Sequence, residues 1–365
     1  MQRILEPGEI QALDATALPR ARMPERADVF AARARRLREL AGGNAIGPYL
    51  KLMALVVDAQ QQVLARLGEP VFDEASTMLA QRHGMPIVPA MAASLGPEWR
   101  SVLSQLVECI EAKIADAGKA APVATTAATR DTVSSAASRA PAATGATSAA
   151  PSAAARTTSA GATTAPAEII PPSFTALLAR LRRMSAAEVD AQAAAMLERE
   201  LDEVDAGTAP FIYAALQVVW TQRACALARE DMPYLDTPGL CPVCGSPPVA
   251  SIVRVGGAYD GYRYLECTLC ATQSHSVRVK CSHCASTKGI AYQSIEGSPE
   301  GTQAESCEEC HSYRKIFAQS KLFNVEPFVD DLASLPLDLM MNEAGYHRPN
   351  PHPFLWPARD EEEDM

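Results

Sequence analysis

The 365-residue sequence has no apolar run approaching the ~20 residues needed to cross a bilayer. Its first residues, MQRILEPGEIQALDA, hold no apolar h-region, so they do not read as a secretory signal. Basic charge is in deficit. The 33 Lys and Arg stand against 43 Asp and Glu, a net charge of −10 to which the DEEED tail contributes. No Ser-His-Asp elbow, P-loop or dinucleotide-binding glycine fingerprint is present. These absences predict a soluble, cytoplasmic chain with no direct membrane insertion. They exclude the common catalytic templates and a chain-wide attraction to phosphate.

A further absence divides the chain. Residues 118–167 contain no Leu, Ile, Met or aromatic residue, and 43 of the 50 are Ala, Ser, Thr, Pro or Gly. Such a stretch cannot bury enough apolar surface to offset its ordering entropy, so a disordered linker or insertion is expected. Its flanks have helical periodicity. DVFAARARRLRELAGG offers Asp28 as N-cap and Gly42 as a stop, with Phe30, Ala34, Leu37 and Ala41 on one face. GPYLKLMALVVDAQQQVLARLGEP and GPEWRSVLSQLVECIEAKI repeat the pattern. After the linker, SAAE at 185–188 reads as a capping box, and APFIYAALQVVWTQRACALARE as a strongly apolar helix.

Beyond Pro238 the pattern changes to β-branched and aromatic segments, ASIVRV, YRYLEC and HSVRVKC, separated by turn signals such as VGGAYDG. Four C-x-x-C pairs lie here: Cys241/Cys244, Cys267/Cys270, Cys281/Cys284 and Cys307/Cys310, with gaps of 22, 10 and 22 residues. A shift of 40 lays every cysteine of the first half on one of the second, an internal repeat whose other side chains mostly differ. Each C-x-x-C turn aims two sulfurs at one centre, and two turns joined by a hairpin close a tetrahedron with metal–sulfur distances of ~2.3 Å. Two metal ions are therefore expected, with sequential grouping: Cys241, Cys244, Cys267 and Cys270 for one, Cys281, Cys284, Cys307 and Cys310 for the other. Disulfides are the competing reading, but they are rare in a reducing compartment. Zinc and a rubredoxin-type iron fit four thiolates equally well. A zinc held by four cysteines has no open position for a substrate, which argues against an enzyme.

The expected fold class is α+β: an N-terminal all-α domain followed by two tandem rubredoxin-like or zinc-ribbon β units. Its helical domain falls in two parts, 1–117 and 168–238, around the 118–167 insertion. The metal units follow at 239–279 and 280–319, then a C-terminal helix and tail at 320–365, where VDDLASLPLDLMMNEAGY reads as helical and is expected to pack back on the rest. Cys109 and Cys225 sit in helical patterns and read as core residues. His83, His275, His283 and His311 read as structural, or as tuning the centres from outside. From Cys241 to Phe317 seven basic residues face seven acidic ones, so a nucleic-acid-binding ribbon is disfavoured.

The set CPVCGSPPVAS, YRYLECTLC, VRVKCSHC, AESCEECHSYRKI, DDLASLPLDLMMNEAGY and NPHPFLWP, in this order, resembles the FdhE family of formate dehydrogenase accessory, or formation, proteins. RILEPGEIQAL and FAARARRLRELA…YLKLMALVVDAQ are similar to it too, so the resemblance covers almost all the chain except the linker. It implies a cytoplasmic accessory factor for the respiratory formate dehydrogenases, large molybdenum enzymes. The factor would contact the catalytic subunit before that subunit is exported by the twin-arginine route. It implies two rubredoxin-like units, with iron as the suspected metal, and carries the eight cysteines over one by one. The sequence departs from the pattern at Ser274, where a tryptophan is expected, and in the length of the 118–167 insert. Two alternatives stay open, a rubredoxin-like electron-transfer or redox-sensing protein and a nucleic-acid-binding zinc ribbon. A homodimer is also compatible with the sequence.

Overall fold

In a computed structural model the chain is described at residues 19–119, 170–235, 237 and 239–356; at Ala117–Lys119 and Leu201 only the backbone is described. The expectation of a disordered 118–167 segment lies, from residue 120 onward, outside the described residues. The described residues within 19–113 and 170–356 form one compact unit. Its helices are α1 (Val29–Ala41), α2 (Gly47–Arg66), α3 (Glu74–Arg82), α4 (Glu98–Lys119), α5 (Pro172–Arg183), α6 (Ala186–Glu198), α7 (Ala209–Cys225), α8 (Pro327–Ala333) and α9 (Leu335–Glu343). α4 continues beyond the unit's edge.

The helical faces follow the apolar spacing. Phe30, Ala34, Leu37 and Ala41 of α1 are all buried. So are Met53, Val56, Val63 and Leu64 of α2, while Tyr49, Leu52 and Leu67 are only half-buried. α7 is buried on nearly every side, as its apolar composition demands. The capping box at α6 forms: Glu188 N–H donates to Ser185 Oγ, and Ser185 N–H to the Glu188 carboxylate. Asp28 precedes α1 but does not cap it with its side chain, which pairs instead with Arg35 at 2.9 Å.

The two β units differ from a pair of separate ribbons. Strands β1 (Ala21–Arg22), β2 (Pro248–Val253), β3 (Arg263–Cys267), β4 (Gln273–Ser276), β5 (Ile290–Gln293), β6 (Thr302–Cys307) and β7 (Ser312–Ala318) form a single seven-stranded sheet, ordered β1-β4-β3-β2-β7-β6-β5. Each unit is an antiparallel meander, and β2 of the first pairs in parallel with β7 of the second through Ser251↔Ile316, Ile252↔Phe317 and Val253↔Ala318. The repeat is thus stacked head to tail. The outer edge of β4 is covered by the short β1 in the place that β2 takes beside β7. HSVRVKC is strand only as far as Ser276. Val277 and Val279 are exposed, and Val279 turns the chain at φ 58° toward the next knuckle.

The C-terminal segment is helical as expected, though broken at Ser334 into α8 and α9. A buried charge network fastens it to β7. Lys315 Nζ donates to Asp338 Oδ2 at 2.6 Å and to the Asp331 carbonyl at 2.7 Å, and Arg348 pairs with both aspartates. Arg33 of α1 reaches Glu266 of β3 at 2.7 Å and Glu326, before α8, at 2.8 Å, with its guanidinium over the Phe328 ring. None of the described helices is long and apolar enough to cross a membrane.

Two stability outcomes follow from these buried groups. Lys315→Met leaves Asp331 and Asp338 with one cation fewer in a closed site, and chemical denaturation should show a loss of about 3–5 kcal/mol; an unchanged midpoint would count against the network. His352 is buried and neutral: Nε2–H donates to the Phe328 carbonyl at 2.9 Å, and Nδ1 accepts from Phe354 N–H. Burial pulls its pKa down to about 4 from an ordinary 6.5. The unfolded chain then binds the extra proton between those values, so stability holds above pH 6.5 and declines as pH falls toward 4, by about 3 kcal/mol. Denaturation curves of wild type and His352→Gln should converge over that window.

Candidate metal centres

Each C-x-x-C pair turns on a left-handed residue directly after its second cysteine. Gly245, Ala271, Ala285 and His311 have φ of 77°, 58°, 63° and 50°. Only one of the four is glycine, so the turn is imposed at the others despite the Cβ. The turn brings backbone N–H groups onto sulfur: Leu269 and Cys270 donate to Cys267 Sγ at 3.4 and 3.5 Å, and His283 and Cys284 donate to Cys281 Sγ at the same distances. Thr272 and Ser312, 40 residues apart in the repeat, set their hydroxyls 3.2 and 3.0 Å from Cys270 and Cys310 Sγ.

The sulfurs gather in the sequential grouping expected from the spacing. Cys241, Cys244, Cys267 and Cys270 form one group, Cys281, Cys284, Cys307 and Cys310 the other, each with its four Sγ atoms within 4.8 Å of one another. Short separations are 3.5 Å for Cys241–Cys270, 3.4 Å for Cys244–Cys267, 3.8 Å for Cys281–Cys310 and 3.7 Å for Cys284–Cys307. A disulfide would need ~2.05 Å. A tetrahedron with ~2.3 Å metal–sulfur bonds has edges of about 3.8 Å. The donor set therefore fits a soft or borderline cation such as zinc or iron and does not suit magnesium or calcium. No carboxylate or histidine joins either group among the described residues.

The histidines and spare cysteines have other places. His83 caps the end of α3, His275 packs edge-on against Tyr262 and Tyr264, and His311 lies beside Tyr346. Cys109 is buried in α4 with the Arg66 guanidinium 3.5 Å away. Cys225 is half-buried, and burial pushes its thiol up to about 11.

The two groups sit in different surroundings. In the first, all four cysteines are buried, and burial pushes the Cys241 and Cys267 thiols well up. At Cys244 burial also pushes upward, but hydrogen bonds from the neighbouring thiols outweigh it. This centre is wired into the helices. Gln217 of α7 donates to the Thr268 carbonyl at 2.8 Å and accepts from Gln60 of α2 at 2.9 Å. The carbonyls of Pro242, Val243 and Cys244 accept from Ile87, Val88 and Ala90 N–H. In the second group Cys284 is exposed and Cys310 half-buried. Arg314 donates from Nε to Ser282 Oγ at 2.8 Å, inside the C-S-H-C knuckle, and burial pulls its guanidinium down to about 9. Spacing alone identified none of Arg33, Gln60, Gln217 or Arg314. The Thr272/Ser312 pair carries a readable signal, a hydroxyl two residues after the last cysteine of each repeat.

With both groups holding zinc, a chelator should therefore strip the second well before the first. Chromogenic release should be biphasic, and Cys284→Ser should alter only the fast phase; a single phase would show that the difference in burial does not govern access.

Comparison with known proteins matches these features module by module. The models for the FdhE N-terminal region, the FdhE central domain and the FdhE C-terminal domain match residues 18–157 with 162–236, 240–278 and 279–355. A protein FdhE homolog of Stutzerimonas stutzeri (strain A1501) is 32% identical over 358 residues, 98% of both chains. Another, from Cronobacter sakazakii (strain ATCC BAA-894), is 32% identical over 363 residues, 98% of this chain and 99% of its own. The crystal structure of the FdhE protein from Pseudomonas aeruginosa aligns with a TM-score of 0.70 at 30% identity, over 93% of this chain and all of that one. The chain belongs to the FdhE family.

Proposed function

We propose that this protein is an accessory factor in the formation of active respiratory formate dehydrogenase, and that it binds the enzyme's catalytic subunit in the cytoplasm before export. The observation that carries this reading is the ordered match of all three FdhE modules to a chain with two complete four-thiol groups. The eight cysteines are the metal ligands. A closed tetrathiolate centre offers no site for substrate, so the metals stiffen a binding protein and do not catalyse.

The first centre has a direct route to a binding surface. Its knuckle holds residues 87–90 by backbone hydrogen bonds. The chain around that segment exposes Val71 (97%), Met78, Leu79, Met85 and Met91. α3, which carries two of them, buries only Ala80. Exposed apolar residues, methionines above all, adapt to varied apolar partners. This surface suits an incompletely folded polypeptide better than a small substrate.

The test is a strain lacking the protein. It should lose formate dehydrogenase activity, and the tagged protein should co-purify with the catalytic subunit. Full activity in its absence would remove the proposal. Met78→Glu with Leu79→Glu should weaken co-purification while leaving metal content at two per chain.

One observation favours a second reading. The exposed Cys284 brings a ligand sulfur of the second centre to the surface, where an electron could pass if iron were bound. A reversible iron couple in protein purified without oxygen would support electron transfer or redox sensing; zinc in both centres would exclude it.

A further inference from the structure

The interior around β7 is rich in charge, and the charges can be matched. Arg263 is buried and pairs with buried Glu305 at 2.7 Å. Lys315 and Arg348 pair with Asp331 and Asp338, two cations with two anions. One cation remains. Arg314 is buried, and its partners are Ser282 Oγ and the carbonyls of Pro248 and Val249; none is a carboxylate. An interior guanidinium, which keeps its proton, needs an anion nearby to repay its desolvation.

Asp331 attracts the Arg314 guanidinium but is already shared by Lys315 and Arg348, and a further anion is available if the second group of cysteines holds metal. Four thiolates around a divalent cation sum to a charge of −2. Ser282, the residue that Arg314 grips, lies between Cys281 and His283 in the second knuckle. Among the described residues the first centre has no such arrangement. The 40-residue repeat puts Ser274 at the position of Arg314 and Pro242 at that of Ser282. The centre sheltered by the helical core does without the cation, and the centre with an exposed sulfur has it.

We infer that Arg314 is the internal counter-charge of the second metal centre, holding metal there by offsetting the negative charge of the thiolates around Cys281, Cys284, Cys307 and Cys310. This rests on the reading of those cysteines as ligands. A fixed cation held at the knuckle by Ser282 favours the net-negative, metal-loaded state of the centre over the empty one. The second centre thereby keeps its metal despite its exposure.

The experiment uses the full-length zinc-loaded protein, with zinc release followed by a chromogenic chelator. Arg314→Met keeps an unbranched apolar stem and removes the charged head; Arg314→Lys keeps the charge and loses the planar fork. The fast phase should speed up about tenfold in the methionine variant and return to within about twofold of wild type in the lysine variant. The slow phase, from the first centre, should not move. If the methionine variant does not fold, Arg314→Gln makes the same comparison. Unchanged release without the charge would overturn the inference, and so would equal acceleration by methionine and lysine, which would assign Arg314 to hydrogen bonding alone. Wild-type protein that binds no zinc at the second group would overturn the ligand reading itself, an outcome told apart by stoichiometry.

Discussion

Four sulfurs held 3.4 to 3.8 Å apart at their closest are the constraint on which the rest of this structure depends. As thiolates they repel by about 5 kcal/mol per pair at an effective dielectric of about 20, so only a cation makes the arrangement favourable. The cation in turn requires each knuckle to wrap its sulfurs tightly. Three non-glycine residues accept a left-handed backbone for it. Two units of about 40 residues have little core of their own. Metal and neighbours must supply what the small ribbons lack.

The neighbours are supplied by joining the repeats head to tail. Pairing β2 with β7 makes the second ribbon's last strand interior to a seven-stranded sheet. Two copies of one spacing thereby acquire unlike environments. The first ribbon turns its knuckles into the helical core, where Gln217 and the 87–90 segment hold them. The second faces solvent at Cys284 and leans on α8 and α9 through Lys315. Repeat symmetry in the sequence is broken by what packs on each copy.

Much of this was legible in the sequence, for identifiable reasons. The grouping of eight cysteines followed from two equal 22-residue loops, because loop length decides which knuckles can meet. The buried face of α1 followed from apolar spacing, the burial of α7 from its apolar composition, and the α6 cap from SAAE. What was not legible is long-range and polar. Arg33 lies among the apolar positions of α1 yet reaches carboxylates 233 and 293 residues away. The fusion of the ribbons is set by the parallel register of Ser251 to Val253, for which no local pattern exists. HSVRVKC has the composition of a strand but gives up its second half to the turn that delivers Cys281. Asp28 has the residue type of an N-cap, but its side chain pairs with Arg35 instead.

These long-range contacts converge on the first centre. Glu266 is adjacent to Cys267 and is held by Arg33 of α1, which also holds Glu326 ahead of α8. Thr268 is the next residue after Cys267 and is held by Gln217, itself bonded to Gln60 of α2. One knuckle thus carries, on the two residues that flank Cys267, the attachments of four helices from distant parts of the chain. A buried ion pair contributes little net stability, but it fixes which groups meet. A metal bound at Cys267 would therefore also fix the relative placement of α1, α2, α7 and α8. On the proposed reading, such a metal would hold helices from distant parts of the sequence in one arrangement, which is what presenting a fixed surface to an unfinished partner requires.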